Sequence, residues 1–256
     1  MNTLEMTSIL RDLKENYQVT GIKAEFEDEG TRFDEALKLK ELASHVGLNL
    51  TIKIGGCGAV RDIYEAKNLG AETVIAPMIE SLYAVKKYFQ ALNSVYDANF
   101  PKFMINIETK TGFECLDEIL NSEYSKNLSG IVLGRTDFAG SLGLSQDEVE
   151  CEKIFNYVKS VSLKTFENNK EFVIGGGISP LSLPFLRNLP AKYLSRFETR
   201  KVIFEAQKAL ENPNIDKGIK KALEFELLWI KYRREHFAIF YKEDETRLKT
   251  LMNRCK

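Results

Sequence analysis

The sequence predicts an α/β chain folded as a closed (β/α)8 TIM barrel with a C-terminal helical extension. Three observations carry this. Short β-prone runs alternate with longer runs of helical period, polar residues recur where the β-prone runs end, and the last forty residues change character. A strand followed by a helix, repeated, means parallel pairing through right-handed crossovers. In a barrel those strand ends converge on one mouth, where active sites lie. In an open doubly wound sheet, the alternative architecture, they would be spread along an edge.

Seven runs read as strands: Gly21–Glu27, Leu48–Ile54, Thr73–Ile79, Lys102–Glu108, Gly130–Gly134, Glu171–Gly175 and Lys192–Phe197. Helical period fills the gaps, as in Phe33–Val46, Val60–Leu69 and Leu82–Leu92. A barrel needs eight strands. The missing one is expected around Tyr17–Val19, unless the barrel is irregular. The polar strand ends are Glu25 and Glu27, Lys53, Glu80, Glu108, Arg135 with Asp137, and Arg196 with Glu198. Residues 1–215 are assigned to the barrel and 216–256 to a helical arm. From Lys217 onward the apolar series Ile219, Leu223, Leu227, Ile230, Phe237 and Phe240 reads as one or two long amphipathic helices. Trp229, Tyr232, Phe237, Phe240 and Tyr241 are more aromatic surface than one barrel helix usually hides. They are either core side chains of a last barrel helix or a surface packed on a partner subunit, and a homo-oligomer is expected.

Composition narrows the function. With 44% hydrophobic and 29% charged residues in 256, the chain has the balance of an ordinary globular protein. A formal net charge of −1 argues against nucleic acid or an anionic membrane as partner. The N-terminal run MNTLEMTSILRDLKENYQ lacks the unbroken apolar core of a signal peptide, and no later run is long enough to span a bilayer, so a cytoplasmic location is expected. Cys57, Cys115, Cys151 and Cys255 form no CxxC pair, which argues against a zinc ribbon, and they read as reduced thiols. His45 and His236 are the only histidines, so a catalytic triad or a histidine-rich metal site is improbable.

The strongest chemical signal is a pair of segments, Ile105–Gly112 (INIETKTG) and Val132–Gly143 (VLGRTDFAGSLG). In each, a carboxylate closes or closely follows an apolar strand: Glu108 in the first, Asp137 in the second. Consecutive parallel strands are neighbours about 5 Å apart. Two carboxylates there would repel unless a cation lay between them, and Mg²⁺ or Mn²⁺ favours one or two carboxylates with waters and substrate oxygens. Arg135, close to Asp137, is a candidate for neutralising a substrate carboxylate, as is Lys53. Lys53 could alternatively form a Schiff base with a carbonyl substrate. The loops Ile54-Gly55-Gly56-Cys57-Gly58 and Ile174-Gly175-Gly176-Gly177 read as tight turns at the mouth, or as cradles for a ligand anion.

These segments resemble the citrate lyase beta-subunit-like proteins and metal-dependent class II pyruvate aldolases, within the phosphoenolpyruvate/pyruvate-binding barrels. The family's "IET" strand stands here as Ile107-Glu108-Thr109. Its "GxxDL…LG" strand stands as Gly134-Arg135-Thr136-Asp137-Phe138 with Leu142-Gly143. Pro77-Met78-Ile79-Glu80-Ser81 resembles its "PMVES" strand end and Phe26-Glu27-Asp28 its "LED". The resemblance covers roughly residues 20–145. It implies Glu108 and Asp137 as ligands of Mg²⁺ or Mn²⁺, and a pyruvate- or oxaloacetate-like 2-oxo acid as substrate. Its expected contacts are Lys53, Glu80, Gly134, Arg135 and Thr136. Two family features are absent. The aldolase branch has a histidine after the early glutamate, where Asp28, Glu29 and Gly30 stand here. Its substrate-gripping arginine is replaced by Lys53, which loses the bidentate fork. The reading is therefore a divalent-metal-dependent carbon–carbon lyase or aldolase, with Glu27, Lys53 and Arg135 as catalytic residues and Glu80 or metal-bound water as other proton carriers. The alternatives are a catalytically silent 2-oxo-acid or phosphoenolpyruvate-binding barrel, an acyl-CoA lyase relative, or a structural scaffold.

Overall fold

A computed structural model describes residues 3–97 and 100–255. In chain order the elements are α1 (Thr3–Tyr17), β1 (Val19–Glu25), α2 (Phe33–Val46), β2 (Asn49–Lys53), α3 (Val60–Asn68), β3 (Thr73–Ala76), α4 (Leu82–Val95), β4 (Lys102–Ile107), α5 (Lys110–Asn121), β5 (Gly130–Gly134), α6 (Arg135–Ser141), α7 (Glu152–Glu167), β6 (Glu171–Gly175), α8 (Leu183–Asn188), β7 (Arg196–Glu198), β8 (Val202–Glu205), α9 (Ala206–Glu211) and α10 (Ile215–Arg254). The eight strands close into a barrel in sequence order. The closed α/β barrel with a long C-terminal helix is thus the fold the sequence predicts.

Strands β1 to β7 pair in parallel. The eighth strand corrects the sequence reading in place and in direction. It is Val202–Glu205, not the region around Tyr17–Val19, and Val19 instead opens β1. It runs antiparallel to both neighbours, β7 and β1. The reason is the connection: only Thr199, Arg200 and Lys201 separate β7 from β8, too few for the crossover that a parallel pair requires. Barrel closure therefore runs through a hairpin whose turn lies at the mouth. Arg196 is also relocated. It begins β7 and pairs with Glu171 at the start of β6, so it lies at the floor of the barrel, away from the mouth. Lys192 lies in a short 3-10 turn before β7.

Side chains alternate between the barrel interior and the helix-facing side. Ile75, Met104, Val132 and Val173 fill the interior as a separate apolar plug. Outward-facing Ile52, Val74, Ile105, Ile131 and Ile174 join the helices in the main core. Helix α10 is one 40-residue helix. Its first turns are part of that core: Ile215, Ile219, Ala222, Phe225 and Trp229 are buried. A Cβ on Gly218 would lie 2.5 Å from the Tyr17 ring, so α10 approaches α1 more closely than any side chain there would allow. Farther along, Arg233 pairs with Glu35, and Arg32 lies over the Phe237 ring at 4.6 Å. Beyond Phe237 the helix is almost wholly exposed. No helix among the described residues is long and apolar enough to cross a membrane.

Candidate active site at the barrel mouth

The same alternation that builds the apolar plug places charge above it. Lys23 and Glu25 on β1, Lys53 on β2, Asn106 on β4, Glu108 just past it and Glu198 on β7 are all buried. A buried charge persists only when paired, and these are. Lys23 Nζ lies 2.8 Å from Glu25 Oε1 and also binds Glu198. Lys53 Nζ lies 3.0 Å from Glu27 Oε2 and 3.4 Å from Glu108 Oε2. Burial alone would push both ammonium groups down. Glu198 and Glu25 outweigh it at Lys23, and Glu108, Glu25 and Glu27 outweigh it at Lys53, so both lysines stay firmly charged. Burial likewise works to raise Glu25, but Lys23, with Lys53 and Lys201 behind it, holds its carboxyl at about 2.

Glu108 is the centre of the arrangement. Its Oε1 accepts from the Met78 backbone N–H at 2.9 Å, and its Oε2 accepts from Asn106 Nδ2 at 2.7 Å and from Lys53. Met78 donates from a left-handed backbone, φ +49°, a conformation non-glycine residues adopt at a cost and mostly where the surroundings impose it. Gly134 at the end of β5 makes the pocket wall. A Cβ there would stand 2.7 Å from Glu108 Oε2. Asp137 sits in the first turn of α6 and is exposed on the mouth side. Burial and then Glu108 raise its carboxyl above the ordinary range; Lys53 opposes this, and Glu27 and Glu25 add to it. Asp137 and Glu108 therefore stand within each other's field, as the sequence pairing anticipates.

The donor set fits a hard divalent cation of the Mg²⁺ or Mn²⁺ type. Such ions take one or two carboxylates and complete their shell with water or substrate oxygens. Asn106 Oδ1 is buried beside Glu108 without a partner, an oxygen that a bound water or ligand would satisfy. No group of three or more His, Cys, Asp and Glu side chains suited to a metal occurs among the described residues, so a site held wholly by such side chains is not what this mouth offers.

The remaining expected residues fall in different places. Glu27 is half-buried at the rim, near enough to Lys53 for ion pairing though not aligned as a hydrogen bond. Glu80 is exposed and accepts from Thr109 Oγ1 at 2.7 Å. Thr136 lies under the β6–α8 loop: a Cβ on Gly176 would stand 2.6 Å from its backbone nitrogen. The structure gives Arg135 another role than the one expected from sequence. It is fully buried, donates to the Gly175 and Gly176 carbonyls, lies 2.9 Å from Glu150 Oε2 and stacks over Phe185 at 4.9 Å. Its guanidinium is held by the β6–α8 loop and Glu150, away from Glu108, whereas Lys53 is the cation that contacts Glu108. Neither histidine joins the site. His45 is exposed in the last turn of α2, and His236 lies 3.4 Å from Asp34 on α10.

Sequence reasoning gave no role to Lys23, Asn106 or Met78. Lys23 and Asn106 stand two residues before Glu25 and Glu108, so counting back along the strand would have found them. Lys201, fully buried in the β7–β8 turn, binds Glu29, and Arg200 beside it binds Asp28. These pairs tie the closing hairpin to the loop that carries Glu27.

A closed α/β barrel with Glu108, Asp137, Lys53 and Glu27 gathered at the C-terminal ends of its parallel strands defines the general class: an α/β barrel with a charged cluster at its mouth. The particular relationship follows from comparison. The model of the HpcH/HpaI aldolase/citrate lyase family matches residues 55–170, a span that contains Met78, Glu108, Gly134 and Asp137. The resemblance carried by the Ile107-Glu108-Thr109 and Gly134–Asp137 segments is borne out by that match. Among solved structures, an HpcH/HpaI aldolase from Desulfitobacterium hafniense DCB-2 has a TM-score of 0.60 at 12% identity, covering 76% of this chain and 81% of that one. An HpcH/HpaI aldolase/citrate lyase family protein from Burkholderia cenocepacia J2315 has a TM-score of 0.56 at 11% identity, covering 71% and 88%. The citrate synthase SbnG has a TM-score of 0.55 at 16% identity, covering 73% and 79%. At these identities the structures establish a shared fold. No curated protein sequence matches the chain.

Proposed function

We propose that this protein is a carbon–carbon lyase or aldolase that binds a pyruvate- or oxaloacetate-like 2-oxo acid at the barrel mouth. The observation that carries the reading is the meeting of Glu108, Asp137, Lys53 and Glu27 at one strand-end cluster, with Glu108 and Asp137 inside the segment 55–170 that is similar to aldolases and citrate lyases and Lys53 and Glu27 brought to it from β2 and the β1 end. Glu108 and Asp137 would hold a divalent cation. When bound, such an ion supplies Lewis acidity to the carbonyl and carboxylate oxygens of the 2-oxo acid. The chain's own residues do the rest. Lys53 neutralises a carboxylate of the substrate. Asn106 and the Met78 N–H hold Glu108 in one orientation, so its free lone pairs stay aimed at the ligand. Glu27 carries the proton at its Oε2, which lies 3.0 Å from Lys53 Nζ.

The test is titration calorimetry of pyruvate, oxaloacetate and phosphoenolpyruvate, with and without Mg²⁺ or Mn²⁺. Binding is expected only with the metal, and Asp137→Asn or Glu108→Gln should weaken it by about 100-fold, the upper end expected for a disturbed metal site. Unchanged metal and 2-oxo-acid binding in Glu108→Gln would sink the proposal. A second reading, a silent binding barrel, is favoured by one observation: no histidine stands at the mouth to assist proton transfer. Metal-dependent binding without turnover on a panel of 2-oxo acids and aldehydes would select it.

A further inference from the structure

The C-terminal half of α10 carries a second apolar stripe that the barrel touches only at Phe237, which lies under Arg32. The barrel-facing stripe runs through Ile215, Ile219, Ala222, Phe225 and Trp229. A different stripe starts at Leu227 and Ile230, both largely exposed, and continues through Phe237 and Tyr241 to Leu248 and Leu251. Its spacing alternates three and four residues, the heptad seam of a two-helix coiled coil. Two seam positions are polar: Arg234 and Asp244, both exposed. The ion pairs between this helix and the barrel end at Arg233–Glu35 and His236–Asp34. Beyond them, among the described residues, Arg234 and Asp244 have no ionic partner in their own chain.

We propose that this face binds the same face of a second copy of this chain, as an antiparallel pair of α10 helices about a two-fold axis near Ile239. The register follows from the charges. An isologous contact pairs residue i with j and j with i. Setting Arg234 opposite the partner's Asp244 fixes every other layer: Leu227 meets Leu251, Ile230 meets Leu248, and Phe237 meets Tyr241. Each apolar seam residue then faces an apolar one. On one flank each Lys231 falls close to a Glu245 of the other copy; on the other flank Arg233 comes close to Arg247, with Arg233 already paired to Glu35 of its own chain. A shift of one heptad in either direction would put Arg234 or Asp244 against an apolar side chain, which is how a polar seam position specifies register. The paired segment spans 25 residues counted from Leu227 to Leu251, about 37 Å of helix.

The charges also make the test. Sedimentation velocity of the full chain should show dimers, or assemblies built of them. Arg234→Asp alone places Asp against Asp at both ends of the contact, and Asp244→Arg alone places Arg against Arg. Each variant should dissociate at concentrations at least tenfold above the wild type while keeping its helix content by circular dichroism. Mixed in equal amounts, the two variants restore opposite charges in both layers, and a heterodimer should form that neither makes alone. A monomeric wild type overturns the proposal. So does an assembly that both single variants leave intact, or a pair of variants that stays dissociated on mixing. None of these outcomes depends on what the barrel mouth binds.

Discussion

Glu25 shows how one strand position decides the chemistry around it. Its neighbour two residues back, Lys23, shares the barrel interior, and with Lys53 and Lys201 it holds the Glu25 carboxyl at about 2 against the opposing effect of burial. An unfolded glutamate titrates near its ordinary value of 4.5. The folded pKa is depressed, so this contribution is fully present above the unfolded value and is lost as the pH falls from about 4.5 through about 2. The difference corresponds to roughly 3 kcal/mol of pH-linked stability. In urea unfolding at pH 6, 4 and 2.5, Glu25→Gln should lose less stability on acidification than the wild type by an amount of that order. Equal acid sensitivity in the two proteins would place the linkage elsewhere. At this scale the sequence is uneven. Glu108 and Asp137 were legible because a carboxylate at the end of an apolar strand interrupts a visible pattern. Met78 was not, because its contribution is a backbone N–H that any residue type could supply and its φ of +49° is set by the chain around it.

At the scale of elements, the segment from β5 to the β6–α8 loop is one locked unit. Arg135 begins α6 and holds the Gly175 and Gly176 carbonyls from below, while Gly176 presses on the α6 backbone at a φ of +81°. Burial lowers the Arg135 pKa and Glu150 opposes this, the balance expected of a guanidinium held inside the fold by one carboxylate. Arg135→Lys keeps the charge but cannot reach two carbonyls, Ser182 and Glu150 together. It should cost about 3 kcal/mol of stability by leaving buried groups unpaired. Gly176→Ala should cost at least about 2 kcal/mol, from the left-handed backbone and from a Cβ only 2.6 Å from Thr136 N. Denaturant midpoints at constant m-value measure both. An Arg135→Lys protein of undiminished stability but weaker 2-oxo-acid binding would return that arginine to the substrate. The β7–β8 hairpin was the element hidden from sequence. Seven strands announce themselves by the strand–helix rhythm, but Val202–Glu205 is four residues long and follows a turn of three. A search for the next strand after a helix passes over it.

For the whole molecule, the question is where the barrel ends, and α10 answers it within a single helix. The aromatic arm admitted two readings from sequence, a core helix or a partner surface, and the helix divides between two environments along its length. Ile215, Ile219, Phe225 and Trp229 are buried against the barrel, while Ile239, Phe240, Tyr241 and Leu248 are exposed. A periodicity plot cannot separate these, since both stretches have helical period and similar composition; only the neighbours differ. The energetic consequence is large. Four buried side chains at about 2 kcal/mol each amount to roughly 8 kcal/mol, comparable with the entire stability of a typical domain. A chain ending at residue 214 should therefore fail to unfold cooperatively, and should expose apolar surface to a dye such as ANS. A chain ending at residue 237 keeps those contacts, the Arg233–Glu35 pair and the Arg32–Phe237 stack. At concentrations where both chains are monomeric, it should unfold in urea with a free energy within about 1 kcal/mol of the full chain, the range expected when mainly exposed surface residues are removed. If the chain ending at 214 unfolds as cooperatively as the full protein, the first turns of α10 are dispensable and the barrel is complete at α9. If the chain ending at 237 loses several kcal/mol instead, the exposed half of the helix stabilises the fold as well as extending from it.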